Sequence, residues 1–199
     1  MPPGKGETNP PLAPAGGMRR LSRKGGRSWR SLALLPLLAL GACGGHDEGK
    51  DCPPNARVSA VSGYCVPRYV SLKRGEVFGR KGPGKDYAAA FVYHARGLPV
   101  QVIDETSDWR RICDPDGAAV WVASAMIDGR RTVMASGAAA VALRGAPADN
   151  ADISAYLRPR AVADLGRCKA AWCEVSADGA HGWVKSSEVW GLAPAAQCR

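Results

Sequence analysis

The sequence is poor in the features that mark most enzymes and membrane-spanning proteins. Its longest largely apolar run, Ser31–Ala42, is about a dozen residues, well short of the roughly 20 needed to cross a bilayer as a helix. Histidine occurs only at His46, His94 and His181, and the cysteines include no C-x-x-C pair. A zinc site therefore lacks its ligand spacing, and no metal or cofactor is expected. G-x-S-x-G, H-E-x-x-H and the P-loop are also missing, which removes common hydrolase and nucleotide-binding signatures. No segment longer than about ten residues carries a 3.6-residue apolar period, so helices are not expected to build the fold.

A coherent basic face is missing too, although the formal net charge is +9. Residues 1–42 hold seven bases and one acid, and the rest of the chain holds 20 bases and 17 acids. The pairs Arg110-Arg111 and Arg130-Arg131 are local, with Asp104, Glu105, Asp108, Asp114 and Asp116 near them in sequence. Phosphate binding needs a continuous basic surface, so nucleic acid is not an expected partner.

What is present begins with an address. Six bases lie between Met18 and Arg30 ahead of the apolar run, the arrangement of a secretory signal peptide. Pro36 inside that run and Gly44-Gly45 after it argue against a buried core helix. Residues 1–17, rich in proline and glycine, read as an extension or as an upstream start with Met18 as the initiator. Leu40-Gly41-Ala42-Cys43 resembles the lipobox of bacterial lipoproteins. That resemblance implies cleavage after Ala42 and lipidation of Cys43. Gly44 in place of aspartate favours an outer-membrane anchor facing the periplasm, with ordinary secretory cleavage as the alternative. Acyl chains hold a protein to a membrane without a spanning helix.

With Cys43 set aside, Cys52, Cys65, Cys113, Cys168, Cys173 and Cys198 remain, an even number that suits disulfides in an oxidising compartment and allows 15 pairings. Cys168 and Cys173 flank a hairpin-length loop, Lys169–Trp172, which places them as cross-strand neighbours within disulfide range. Cys52–Cys65 would close a loop ahead of the first domain, and elimination leaves Cys113–Cys198.

From Tyr69 onward the chain repeats itself. Trp121–Gly129 and Trp183–Gly191 both read W-V-x-S-x-x-[I/V]-x-G. A second tryptophan, Trp109 or Trp172, precedes each motif, with Asp116-Gly117 or Asp178-Gly179 as a turn between. Arg80 and Arg144 lie 29 and 28 residues before those tryptophans, and Pro83 and Pro147 stand three residues after the arginines. Short β-branched runs and recurrent turn signals make each copy a small barrel.

The stretch Gly79–Tyr87 resembles the R-x-G-P-G-x-x-Y signature of bacterial SH3-like domains, and Trp109–Ile112 and the W-V-x-S-x-x-I tail fall where that family has them. The second copy keeps Leu143-Arg144, Pro147, Trp172–Val175 and the tail, but not the glycines or the tyrosine. The expected architecture is all-β: signal peptide over 1–42, a tether over 43–68, SH3-like domains over 69–131 and 132–192, and a tail over 193–199. Within these, the barrels are Tyr69–Met126 and Thr132–Leu192, joined by Ile127–Arg131. The resemblance implies export and a binding role, with cell-wall peptide or an envelope protein as partner.

Trp109 and Trp172 are candidate ligand contacts. Ile112 and Val175 lie three positions on, so if the aliphatics face the core the tryptophans face outward. The competing roles are covering a barrel flank or packing between the barrels. Tyr87, from the signature loop, is the third candidate. Polyproline recognition is not expected, because Ala123 and Met126, or Lys185 and Glu188, stand where its proline and tyrosine would be. Catalysis is not expected either. No segment is left for a catalytic domain, and the one thiol–imidazole candidate, Cys113 with His94, has Asp114 and Asp116 beside the thiol, which disfavour a thiolate. The leading expectation is a non-enzymatic envelope binding module. The alternatives are a structural or assembly factor with its tryptophans buried between the barrels, and a regulator of a cell-wall hydrolase.

Overall fold

The computed structural model describes residues 52–193, 197 and 198; the segment expected as a signal peptide and Cys43 lie outside the described residues. A short hairpin comes first, β1 (Arg57–Val58) with β2 (Cys65–Val66), closed by a Cys52–Cys65 disulfide.

Barrel 1 follows with β3 (Arg68–Leu72), β4 (Val77–Arg80), β5 (Ala89–Tyr93), β6 (Pro99–Glu105), β7 (Trp109–Cys113), β8 (Ala119–Ala123) and β9 (Ile127–Asp128). Barrel 2 contains β10 (Thr132–Ala135), β11 (Val141–Arg144), β12 (Ile153–Leu157), β13 (Val162–Lys169), β14 (Trp172–Ala177), β15 (Ala180–Lys185) and β16 (Val189–Trp190). Strand orders are β5-β4-β8-β7-β6-β3-β9 and β12-β11-β15-β14-β13-β10-β16, one topology used twice. Both copies break register in the same two hairpins, at Gly79/Arg80 and Leu143/Arg144, and again between Val102/Asp104 and Leu165/Cys168. Bulges of this kind bend the strands so that a small sheet can curl on itself. The segment expected as a link, Ile127–Arg131, is in part a strand: β9 pairs with β3 and completes barrel 1.

Alternation along the strands fills two cores. Leu72, Val77, Val100, Val102, Ile112 and Val122 pack in barrel 1, and Val133, Leu143, Leu157, Val175, Val184 and Val189 in barrel 2. The turns match their residues. Asp178 and Gly179 both take positive φ, 51° and 82°, as a two-residue hairpin requires. In barrel 1 the Asp114 carboxylate instead accepts the Asp116 and Ala118 N–H groups, fixing a longer turn.

The barrels dock directly. The Thr132 hydroxyl donates to the Gly97 carbonyl at 2.7 Å, the Ser71 hydroxyl donates to the Arg130 carbonyl at 2.6 Å, and the two hydroxyls lie 2.8 Å apart. Each hydroxyl carries one proton, so the contact between the two oxygens is made only when one of them turns its proton from a carbonyl to the other. Tyr69 meets Trp190 edge to face with ring centroids 5.0 Å apart, a favoured aromatic geometry. Burial pushes the Tyr69 phenol up to about 12, against the opposing charge of Arg131. Arg160 grips Asp116 with two hydrogen bonds, 2.8 and 2.9 Å. A Cys113–Cys198 disulfide ties the end of the chain back to β7, and the Gln197 N–H donates to the Gln101 side-chain carbonyl. The third disulfide, Cys168–Cys173, closes the β13–β14 hairpin.

Candidate functional site

The signature loop between β4 and β5 is built around one arginine. Arg80 donates from Nη1 to the Tyr87 carbonyl at 2.7 Å, and the Lys81 N–H reaches the Ala88 carbonyl. The Tyr87 ring lies flat against Gly82, where a Cβ would sit 2.3 Å from the ring. The glycine is therefore required by a close approach, which explains the G-P-G-x-x-Y spacing. Barrel 2 folds its loop with the same bonds: Arg144 Nη1 donates to the Ala151 carbonyl at 2.8 Å, and the Gly145 N–H to that of Asp152. Ala151 stands where Tyr87 stands, so the scaffold is kept and the aromatic is absent.

Four large apolar side chains of this hairpin stay exposed, and strand register puts Phe78 and Val92 on one face and Phe91, opposite Gly79, on the other. Tyr87, Phe78 and Phe91 are 51%, 46% and 48% exposed, and Val92, directly opposite Phe78 in the β4–β5 pair, is also exposed. The Arg80 guanidinium sits 5.7 Å from the Phe78 ring centroid. β5 ends its sheet, so one row of its backbone groups has no strand partner. Residues 73–86 carry five bases and two acids.

Trp109 and Trp172 hold equivalent places at the starts of β7 and β14. Ile112 and Val175 lie in the cores, so both tryptophans project from outer faces, and both are half-buried. Lys185 reaches 5.6 Å from the Trp172 ring centroid and ion-pairs with Asp149. Ala123, opposite Trp109 in β8, offers barrel 1 no such cation. The aromatic contact between the barrels is Tyr69–Trp190, not Trp109 with Trp172. That role falls to the strands that meet there, β3 and β16, and the tryptophans of β7 and β14 start elsewhere on each sheet. Among the described residues no ring contact joins Trp109, Trp172 and Tyr87.

Sequence reasoning missed Phe78, Phe91 and Val92. Their signal was available in Ala89–Tyr93, five apolar residues following the signature loop, but an apolar strand reads as buried until its edge position is known. Cys113 is buried in a disulfide and offers no thiol. Among the described residues no cluster of three or more His, Cys, Asp or Glu side chains could hold a metal ion, and no helix is long and apolar enough to cross a membrane.

No curated protein matches the chain. Two solved structures, NlpC2 and NlpC1 from Trichomonas vaginalis, are similar at 8% and 9% identity, each with a TM-score of 0.28. The alignments cover 63% and 67% of this chain and 48% and 49% of theirs, so it spans about half their length. A likeness that distant carries no argument about activity. The family comparison is decisive: the bacterial SH3 domain matches twice, over residues 73–129 and 137–191, more than half of the chain. Those two matches fall on the two seven-stranded sheets, and the chain belongs to the bacterial SH3 domain family, as a tandem pair.

Proposed function

We propose that this chain is a non-enzymatic binding module of the bacterial cell envelope, with the β4–β5 hairpin of barrel 1 as its main contact surface. The observation that carries this reading is the set of exposed apolar side chains on the β4–β5 hairpin, Phe78 and Val92 on one face, Phe91 on the other and Tyr87 in the loop, with β5 as the edge of the sheet. Exposed apolar clusters rimmed by charge mark interaction sites. An open edge can also accept an extended peptide as an added strand. The excess of bases between Lys73 and Asp86 favours a ligand with carboxylates, which cell-wall stem peptides carry. Three disulfides suit the oxidising compartment to which the leader would deliver the chain. In this reading Cys43 is the lipid attachment site that holds the barrels at the outer membrane. A mass spectrum of the mature N-terminus tests that part, and an unmodified Cys43 removes the anchor.

The binding test is retention on purified peptidoglycan. Wild type should be retained, and Tyr87→Ala or Phe78→Ala should each lower affinity about fivefold, the effect of losing ~1 kcal/mol at an aromatic anchor. Trp109→Ala and Trp172→Ala should do less, because both rings are already half covered. Absence of wild-type retention discards the cell-wall ligand and leaves an envelope protein. That half-burial also favours a second reading, an assembly factor whose tryptophans serve only the fold. Iodide quenching separates the two: emission that resists quenching assigns Trp109 and Trp172 to packing.

A further inference from the structure

One loop has its polarity reversed. Between Cys52 and Cys65 the only charged side chain is Arg57, which ion-pairs with Asp104 at 3.1 Å. The two serines of the loop face the protein: the Ser59 and Ser62 hydroxyls donate to one oxygen of the buried Glu105 carboxylate at 2.6 and 2.5 Å. Val58, Val61 and Tyr64 are all exposed. Pairing sets their directions. Tyr64 stands opposite Ser59, whose N–H donates to the Tyr64 carbonyl, and Val58, one residue earlier, points to the other side of the hairpin. Val61 lies in the turn between them. The backbone there is largely satisfied from within. The Gly63 N–H reaches the Ser59 carbonyl, and the Val61 and Tyr64 N–H groups donate to the Ser59 and Ser62 hydroxyls at 3.2 and 3.3 Å. Leaving water would therefore cost this tip little, and the Cys52–Cys65 disulfide closes the loop behind it.

We propose that this tip is a membrane wedge, seated in the headgroup region of the phospholipid bilayer that carries the Cys43 anchor. Three observations choose a bilayer over a protein. Position along the chain comes first. Cys43 and Cys52 are nine residues apart, at most about 31 Å fully extended, so an anchored chain keeps the start of this loop within that distance of its attachment point. Direction comes second. The apolar side chains leave the hairpin on both sides and at its end; a fluid interface closes around such a tip, whereas a flat protein face meets one side of it. Residue type comes third. A tyrosine suits the interface, with its ring toward the acyl chains and its hydroxyl among the headgroups, and the loop holds no carboxylate to be drawn out of water. The proposal rests on the reading of Cys43 as the attachment site, and it goes beyond the β4–β5 surface, of which it makes no use.

The test uses residues 43–199 with isotope-labelled methyls. Cys43 is the one cysteine of the seven outside the three disulfides, so its thiol can be coupled to a maleimide lipid in vesicles of phosphatidylethanolamine and phosphatidylglycerol. That supplies the anchor whatever the natural N-terminus is, so an unmodified Cys43 in the mass spectrum and a failed wedge are separate results. A lipid with a gadolinium chelate on its headgroup should broaden the Val58, Ala60 and Val61 methyls strongly and those of Ile153 on β12 little. The broadening should persist in high salt, because apolar burial and not charge holds the tip. Val61→Ser with Tyr64→Ser should reduce it at Val58 and Ala60 about fivefold. Val61→Asp alone should act in the same direction, and unchanged core methyls in both barrels check that each variant is folded. Equal broadening at Ile153, its loss in salt, or no response to either variant would overturn the proposal. So would shifts of these methyls that follow protein concentration without lipid, which would give the tip to a second copy.

Discussion

Gly82 and Gly79 are three residues apart in the same signature, yet crowding at them has different consequences. A Cβ on Gly82 meets the ring of a half-exposed tyrosine, while one on Gly79 meets Val120 Cγ2 at 2.7 Å inside the core. A surface ring can rotate away; a buried valine cannot. Gly79→Ala should therefore destabilise by about 1–3 kcal/mol, the usual range for overpacking. Gly82→Ala should cost under about 1 kcal/mol while displacing Tyr87 and weakening peptidoglycan retention by no more than Tyr87→Ala does. Urea melts and retention assays on the two variants check both halves. Glu105 gives a second expectation at this scale. Its side chain is 1% exposed. Burial pushes its carboxyl up, but hydrogen bonds from Ser59, Ser62 and Arg68 together outweigh that and hold it below the ordinary 4.5. A depressed carboxyl contributes stability that is complete above 4.5 and is lost as pH falls through the lower folded value. Glu105→Gln should cost about 3 kcal/mol at pH 7, and the gap should narrow steadily below pH 4.5 in denaturation series. In the sequence Glu105 is one of several acids near Arg110-Arg111, and the ion pair with Arg110 exists at 3.4 Å. Its other partners lie more than 35 residues away, where no local pattern points to them.

At the scale of elements, the duplication was legible because each correspondence marks a backbone requirement. Arg80 and Arg144 clamp their loops, the Asp-Gly pairs turn their hairpins, and the W-V-x-S tails supply a strand and a one-turn 3-10 helix to each barrel. What the repeats could not reveal is where the copies compensate. Gly79 sits beside Val120 in barrel 1, and Leu143 beside Gly182 in barrel 2; read singly, each looks like a lost match. Packing treats them as one volume shared by two strands. Exchanging both residues in barrel 1, Gly79→Leu with Val120→Gly, should be less destabilising than the sum of the single changes, by roughly 1–3 kcal/mol of coupling. A thermodynamic cycle on the four proteins measures it, and additive effects would show that the two positions do not share space. Trp190 was invisible for a related reason. Strand register sets it against Asp128 of the first copy, so it departs from the repeat, and a departure signals a new contact only once the partner surface is known.

The whole molecule explains the departures. The barrels dock through matching positions: Tyr69 and Thr132 are counterparts in β3 and β10, as are Ser71 and Met134, and Asp128 and Trp190 in the closing strands. Each copy brings one ring and one hydroxyl to the junction, Tyr69 and Ser71 from barrel 1 and Trp190 and Thr132 from barrel 2, at positions where the other copy carries a different side chain. This junction should make the two barrels unfold together. A barrel of this size is marginal alone, and separating the pair would strip Thr132, Ser71 and the Gly97 carbonyl of buried hydrogen bonds worth about 1 kcal/mol each. The Cys113–Cys198 link, with a sequence separation of 85, adds about 4–5 kcal/mol in the loop-entropy description, as an upper figure. Calorimetry should thus show one transition for the native chain, with calorimetric and van't Hoff enthalpies equal. The paired replacement Cys113→Ala with Cys198→Ala should lower the midpoint without splitting it, because the Ser71–Thr132 junction and the Tyr69–Trp190 contact survive. Adding Thr132→Val and Trp190→Ala removes both, and the transition should then resolve into two. One transition in that last variant would mean that docking does not depend on these contacts, whereas two in the wild type would mean that the barrels are only tethered.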